Sequence, residues 1–86
     1  MEDKQKREGK KVKTLMIRLG GVDDIRAFVN AISTCEYDLD LKNGRYVVDA
    51  KSIMGIFSLD LSTPLELVIY GDHEQEVAEK IKKFIV

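Results

Sequence analysis

The sequence predicts an α+β domain in which a four-stranded antiparallel sheet carries three helices on one face, in the order β-α-β-β-α-β-α. Two strand-like runs meet at an Asn-Gly pair in the middle of the chain, the arrangement of an antiparallel hairpin. Two more runs, one near the start and one after Pro64, space their apolar residues as strands do. Three further stretches repeat apolar residues at helical spacing.

The first strand is expected over Val12–Leu19, where Leu15, Ile17 and Leu19 alternate with Thr14, Met16 and Arg18. Gly20-Gly21 ends it. From Val22 to Ser33 the period changes. Val22, Ile25, Phe28, Val29 and Ile32 share a helical stripe, and Asp23 and Asp24 complement the positive end of the helix dipole. Tyr37–Ala50 reads as the hairpin. Asn43-Gly44 suits the two central positions of a type I′ turn, both of which need positive φ. That turn pairs Lys42 with Arg45, Leu41 with Tyr46, Leu39 with Val48 and Tyr37 with Ala50. The apolar members fall on one face, and Asp38, Asp40, Val47 and Asp49 on the other.

Lys51–Asp60 holds a short helix of about two turns, with Ser52 at its N-cap and Ile53, Ile56 and Phe57 on one stripe. Gly55 within it costs about 1 kcal/mol of helix propensity. Thr63-Pro64 breaks the chain, and Pro64–Tyr70 forms a strand with Leu65, Leu67 and Ile69 on one face. Gly71 ends that strand, and a closing helix is expected over Asp72–Val86. Its apolar face is Val77, Ala78, Ile81, Phe84 and Ile85. Asp72, Glu74 and Glu76 at its start, and Lys80, Lys82 and Lys83 toward its end, suit the dipole.

The length of 86 residues fits one domain. A composition of 44% hydrophobic and 34% charged residues excludes collagen-like and wholly disordered chains. The longest apolar run, within Pro64–Tyr70, falls far short of the roughly 20 residues of a membrane span, so no membrane insertion is expected. The first thirteen residues hold no apolar signal region, which predicts a cytoplasmic location. Fourteen Lys+Arg against fifteen Asp+Glu leave a charge of −1, which argues against a nucleic-acid module. Residues 1–11 (MEDKQKREGKK) are polar, mixed in charge and without a hydrophobic face. They read as a mobile charged tail ahead of a domain over residues 12–86.

One cysteine excludes an internal disulfide and a multi-cysteine zinc site. Cys35 has no basic neighbour in sequence and reads as a structural thiol. His73, the one histidine, reads as an ordinary surface residue, and Asp38, Asp40 and Asp49 as a solvated face. No Gly-rich phosphate loop, zinc pattern or catalytic triad is present, so no enzyme, cofactor or metal is expected.

The most informative stretch is Lys51-Ser52-Ile53-Met54-Gly55. A serine opening a helix is well placed to accept a phosphoryl group, because free N–H groups and the dipole stabilise the added charge. The same serine is equally a favoured cap. Met54 is adaptable and Phe57 large, a pair suited to docking a protein.

Val48–Asp60 resembles the regulatory-serine segment of HPr, the histidine-containing phosphocarrier of the bacterial sugar phosphotransferase system, and Lys51–Gly55 matches that family's motif without substitution. The strand Leu65–Tyr70, the run Gly71-Asp72-His73-Glu74-Gln75-Glu76 and the closing helix are similar to HPr and its regulatory paralogue Crh. The resemblance covers roughly Val12–Val86 and implies an HPr-like open-faced β-sandwich. It further implies phosphorylation of Ser52 by an HPr kinase/phosphorylase-like enzyme. A transcriptional regulator or metabolic enzyme would then dock at Lys51, Ile53, Met54 and Phe57, with Lys51 helping to position the phosphate. The same apolar patch would suit a homodimer contact.

The resemblance fails where HPr carries its phosphorylatable histidine, between the first strand and first helix. Here that place reads Gly20-Gly21-Val22-Asp23-Asp24-Ile25-Arg26. Arg26 stands in for the family's active-site arginine, while Asp23 and Asp24 put negative charge where an incoming phosphoryl group needs room. The expected function is therefore regulatory or adaptor work without phosphohistidine carrier activity. The alternatives are a carrier working through His73 or an aspartate, and a docking module independent of phosphorylation.

Overall fold

Alternation and helical periodicity yield the expected element order in the computed structural model, which describes residues 11–86. Strand β1 spans Val12–Ile17, helix α1 Val22–Ile32, β2 Leu39–Asn43, β3 Tyr46–Asp49, α2 Ile53–Phe57, β4 Leu65–Tyr70 and α3 Glu74–Lys80, followed by a 3-10 turn at Lys82–Phe84. The tail predicted over residues 1–11 lies outside the described residues except at Lys11, whose carbonyl accepts the Gly71 N–H at 2.7 Å.

The sheet runs β1-β4-β2-β3, with every neighbouring pair antiparallel. The last strand in sequence thus lies in the interior, with Leu67 paired to Leu15 of β1 on one side and Leu41 of β2 on the other. Leu65, Leu67 and Ile69 point to the inner face and are fully buried with Ile17, Leu39 and Leu41. Helices cover that face with Ile25, Phe28 and Ile32 of α1, Ile56 of α2 and Val77 of α3. Each such side chain contributes about 1.5–3 kcal/mol of burial free energy. The fold is the predicted α+β sheet with three helices.

The hairpin departs from prediction in its register. Asn43 pairs with Tyr46, Lys42 with Val47, Leu41 with Val48 and Asp40 with Asp49, so the two-residue loop is Gly44-Arg45. Gly44 has φ 62°, and no residue other than glycine has positive φ among the described residues. A glycine first and a negative φ second are the signs of a type II′ turn, not type I′. Tertiary contacts account for the change. The Asn43 amide donates to the Asp60 carbonyl at 3.2 Å and to Thr63 Oγ1 at 3.3 Å, which holds Asn43 in the strand. The pairing slips by an even step, so the predicted faces survive. Asp40, however, is buried rather than solvated, and its carboxylate accepts the Tyr70 hydroxyl at 3.0 Å.

The closing helix also stops early, at Lys80. Phe84 turns inward to meet Phe28 edge-on, with centroids 6.1 Å apart. The chain then extends, Ile85 bridging to Ile17 and the Val86 N–H donating to the Met16 carbonyl. Burial of Phe84 and a few ladder bonds on β1 outweigh another helical turn.

Two measurements check this account. Gly44→Ala, which puts a Cβ on a left-handed backbone, lowers the unfolding free energy in urea by about 1–2 kcal/mol; an unchanged midpoint contradicts the assigned turn. In the neighbouring loop, the Ser62 hydroxyl and N–H donate to the Asp60 carboxylate at 2.6 and 3.0 Å and hold its carboxyl below the usual range. A folded-state pKa that is depressed adds stability above the unfolded value near ~3.9 and loses it as pH falls through the folded value. Carbon-detected NMR titration of Ser62→Ala returns the Asp60 midpoint upward; an unmoved midpoint refutes the assignment.

Candidate functional site

The chain leaves β3 through a turn closed by Asp49, whose carboxylate accepts the Lys51 N–H at 2.9 Å and whose carbonyl accepts the Ser52 N–H at 3.0 Å. Ser52 is extended, and its hydroxyl accepts the Gly55 N–H at 3.1 Å, so it caps α2 as its residue type predicts. Its carbonyl accepts the Ile56 N–H at 3.0 Å. At the far end the Ser58 hydroxyl donates to the Gly55 carbonyl at 2.6 Å.

Gly55 has a spatial reason. A Cβ there would lie 3.2 Å from Val48 Cβ and 3.3 Å from Ser52 Oγ. The glycine lets α2 settle onto β3 and keeps room for the capping hydroxyl. Of the stripe predicted for this helix only Ile56 is buried. Ile53 is 38% exposed, Phe57 47% and Met54 80%. One buried anchor thus holds a helix that presents three apolar side chains to solvent beside a half-buried serine.

Lys51 is tied to backbone oxygens. Its ammonium donates to the Tyr37 carbonyl at 2.8 Å and to the Cys35 carbonyl, tying the segment after α1 to the start of α2. Lys51 therefore braces the entry to α2, with its charge directed to backbone oxygens.

Asp23, Asp24 and Arg26, expected from sequence at a degenerate carrier position, lie at the start of α1. No side chain caps α1. Instead the Asp24 carboxylate turns back and accepts the Gly20 N–H at 2.7 Å. Asp23 and Arg26 are exposed.

His73 is not the ordinary surface residue expected from sequence. It is half-buried and stacks on Tyr37, ring centroids 3.7 Å apart and planes 6° from parallel. The Tyr37 hydroxyl donates to Glu76 Oε1 at 2.8 Å. Burial first, then hydrogen bonding to Cys35 and Glu76, raises the Tyr37 pKa above its ordinary value, so the phenol keeps its proton. Gly71 stands at φ 112°, and a Cβ there would meet His73 Cδ2 at 2.8 Å. The Gly-x-His spacing is the one sequence signal that the imidazole packs against its own loop. Cys35 is a free, buried thiol.

Residues 25–86 match the family model described as the PTS HPr component phosphorylation site. The matched stretch begins at Ile25, so the Gly20–Asp24 loop stands outside it. The chain is 38% identical over 60 residues to the HPr-like protein Crh of Bacillus subtilis (strain 168), covering 67% of this chain and 71% of that protein. Among solved structures it is similar to the crystal structure of HPr-C-His from Thermoanaerobacter tengcongensis, with a TM-score of 0.68 and 28% identity, over 85% of this chain and 88% of that one.

Substitutions in the capping segment separate packing from propensity. Ser52→Ala costs about 0.5–2 kcal/mol in urea unfolding, through the lost cap. Gly55→Ala also destabilises, although propensity alone would add about 1 kcal/mol. A stabilised Gly55→Ala protein would refute the close approach to Val48.

Proposed function

The chain belongs to the HPr family, and we propose that it acts as a Crh-like regulatory and adaptor member, switched at Ser52 and without phosphohistidine carrier activity. The family is one of phosphocarrier and regulatory proteins, and the chain is accordingly not an enzyme. The observation that carries the proposal is the makeup of one short segment. A capping serine sits beside exposed Ile53, Met54 and Phe57, in a chain whose strand-to-helix loop holds two aspartates and no histidine.

A phosphoryl group on Ser52 brings about −1.5 to −2 charge to the edge of that apolar patch. Its oxygens take over the Gly55 N–H from the hydroxyl and gain charge-assisted hydrogen bonds. The patch then favours a partner with cationic groups facing Ser52, and the unmodified patch a partner that is apolar there. An HPr kinase/phosphorylase-like enzyme supplies the modification, and a transcriptional regulator or metabolic enzyme is the docked partner. The HPr domain spans residues 12–86 behind the charged leader, and the protein works in the cytoplasm. No helix among the described residues is long and apolar enough to cross a membrane.

Three contacts support leaving carrier chemistry out. His73 is stacked on Tyr37 and packed against Gly71, and Asp24 is bonded to Gly20. Incubation with an HPr kinase and ATP or pyrophosphate adds one phosphoryl mass to the wild type and none to Ser52→Ala. Phosphoenolpyruvate with enzyme I adds none to either. Equal labelling of Ser52→Ala, or labelling from phosphoenolpyruvate, overturns the proposal.

A further inference from the structure

A second surface lies away from the residues used above. Between α1 and the end of α3 runs a shallow groove of about 420 Å³, with Ala27, Ala31 and Phe84 along its floor and Lys80, Lys82 and Lys83 along its rim. Its cations gather against the trend of the chain. Residues 12–86 hold nine basic and twelve acidic residues, yet three of the nine basic ones lie within four positions here. Glu79 is the one carboxylate on the lining.

Helix-dipole complementation accounts for Lys80, in the last turn of α3, but it fades beyond that turn, where Lys82 and Lys83 sit. Internal pairing does not account for the cluster either. Among the described residues, Lys80 reaches Thr34 Oγ1 at 3.4 Å and Lys83 lies 5.2 Å above the Phe84 ring. Among the described residues, the ion pair present joins Lys13 and Glu74 instead. All three lysines are exposed, and small side chains at Ala27 and Ala31, one helical turn apart, keep the floor open.

We propose that this groove docks an acidic segment of a partner protein, which seats an aliphatic side chain on Ala27, Ala31 and Phe84 and sets its carboxylates against Lys80, Lys82 and Lys83. The groove is too open to enclose most of a small molecule, as metabolite sites do. The net negative domain disfavours a nucleic-acid backbone. A protein segment satisfies both limits, because it needs only a floor for one or two apolar side chains and a rim of opposite charge. The surface is independent of phosphorylation at Ser52.

The test is a nitrogen-15 NMR titration of the full chain at low salt with a synthetic peptide of Glu-Glu-Leu repeats. The expected result is saturable shifts at Ala27, Ala31 and Lys80–Phe84, absent with a Lys-Lys-Leu peptide. The Lys82→Ser/Lys83→Ser double variant should bind about tenfold more weakly. Ala31→Gln, which fills the groove and keeps every lysine, should weaken binding as well. Unsaturable shifts, full-strength binding by the double variant, or saturation of the same residues by pyrophosphate or a single-stranded oligonucleotide at no higher concentration would each overturn the proposal.

Discussion

The insertion of β4 between β1 and β2 is the constraint from which the rest of the molecule follows. It sets Leu67 between Leu15 and Leu41 and gives the three helices one buried face to cover. It also brings the loop ahead of β4 alongside the end of β2, where Asp60 and Thr63 take hold of Asn43. That hold keeps Asn43 in the strand and moves the turn to Gly44-Arg45. The turn sets Val48 opposite Leu41, and the close approach of Gly55 to Val48 places α2. A pairing between sequence-distant strands thereby reaches the surface at Met54 and Phe57. Such pairings are closed late and slowly, since loop entropy is lost before contacts compensate.

The exposed apolar face of α2 is thus a by-product of tight packing beneath it. Gly55 gives up helix propensity so that α2 can lie close to the sheet, and Ile56 alone secures it there. A helix this short has too few inward positions to bury its other apolar side chains, so Ile53, Met54 and Phe57 stay outside. Lys51 braces the entry by bonding the Cys35 and Tyr37 carbonyls. Tyr37 in turn stacks on His73 and donates to Glu76, which joins the entry of α2 to the start of α3. The Gly20–Asp24 loop closes on itself through Asp24.

Much of this was legible in the residues themselves. Period-two and period-3.6 spacing located every strand and helix, because binary pattern reports which side of an element faces the core. The hairpin faces were readable even though its register was not, since a slip by an even step leaves the faces unchanged. What escaped depended on partners far away in sequence. Nothing near Asn43 signals that its amide reaches Asp60 and Thr63. Nothing near Asp40 signals Tyr70, and nothing near His73 except the Gly71 spacing signals the Tyr37 ring. The early end of α3 is of the same kind, set by Phe28 and β1. Ser52 as a cap was legible because capping is local, whereas the direction of the Lys51 ammonium was not.

The proposed switch is therefore Ser52, in a chain whose Gly20–Arg26 stretch holds no histidine. The chemical stability of a phosphoryl group formed in the cell tests that most directly, because a serine ester survives acid whereas a phosphohistidine does not. Intact-mass analysis of the protein recovered from its own cells, before and after acid treatment, should find one acid-stable phosphoryl group that Ser52→Ala abolishes. An acid-labile group, or an acid-stable one that persists in Ser52→Ala, would contradict the account.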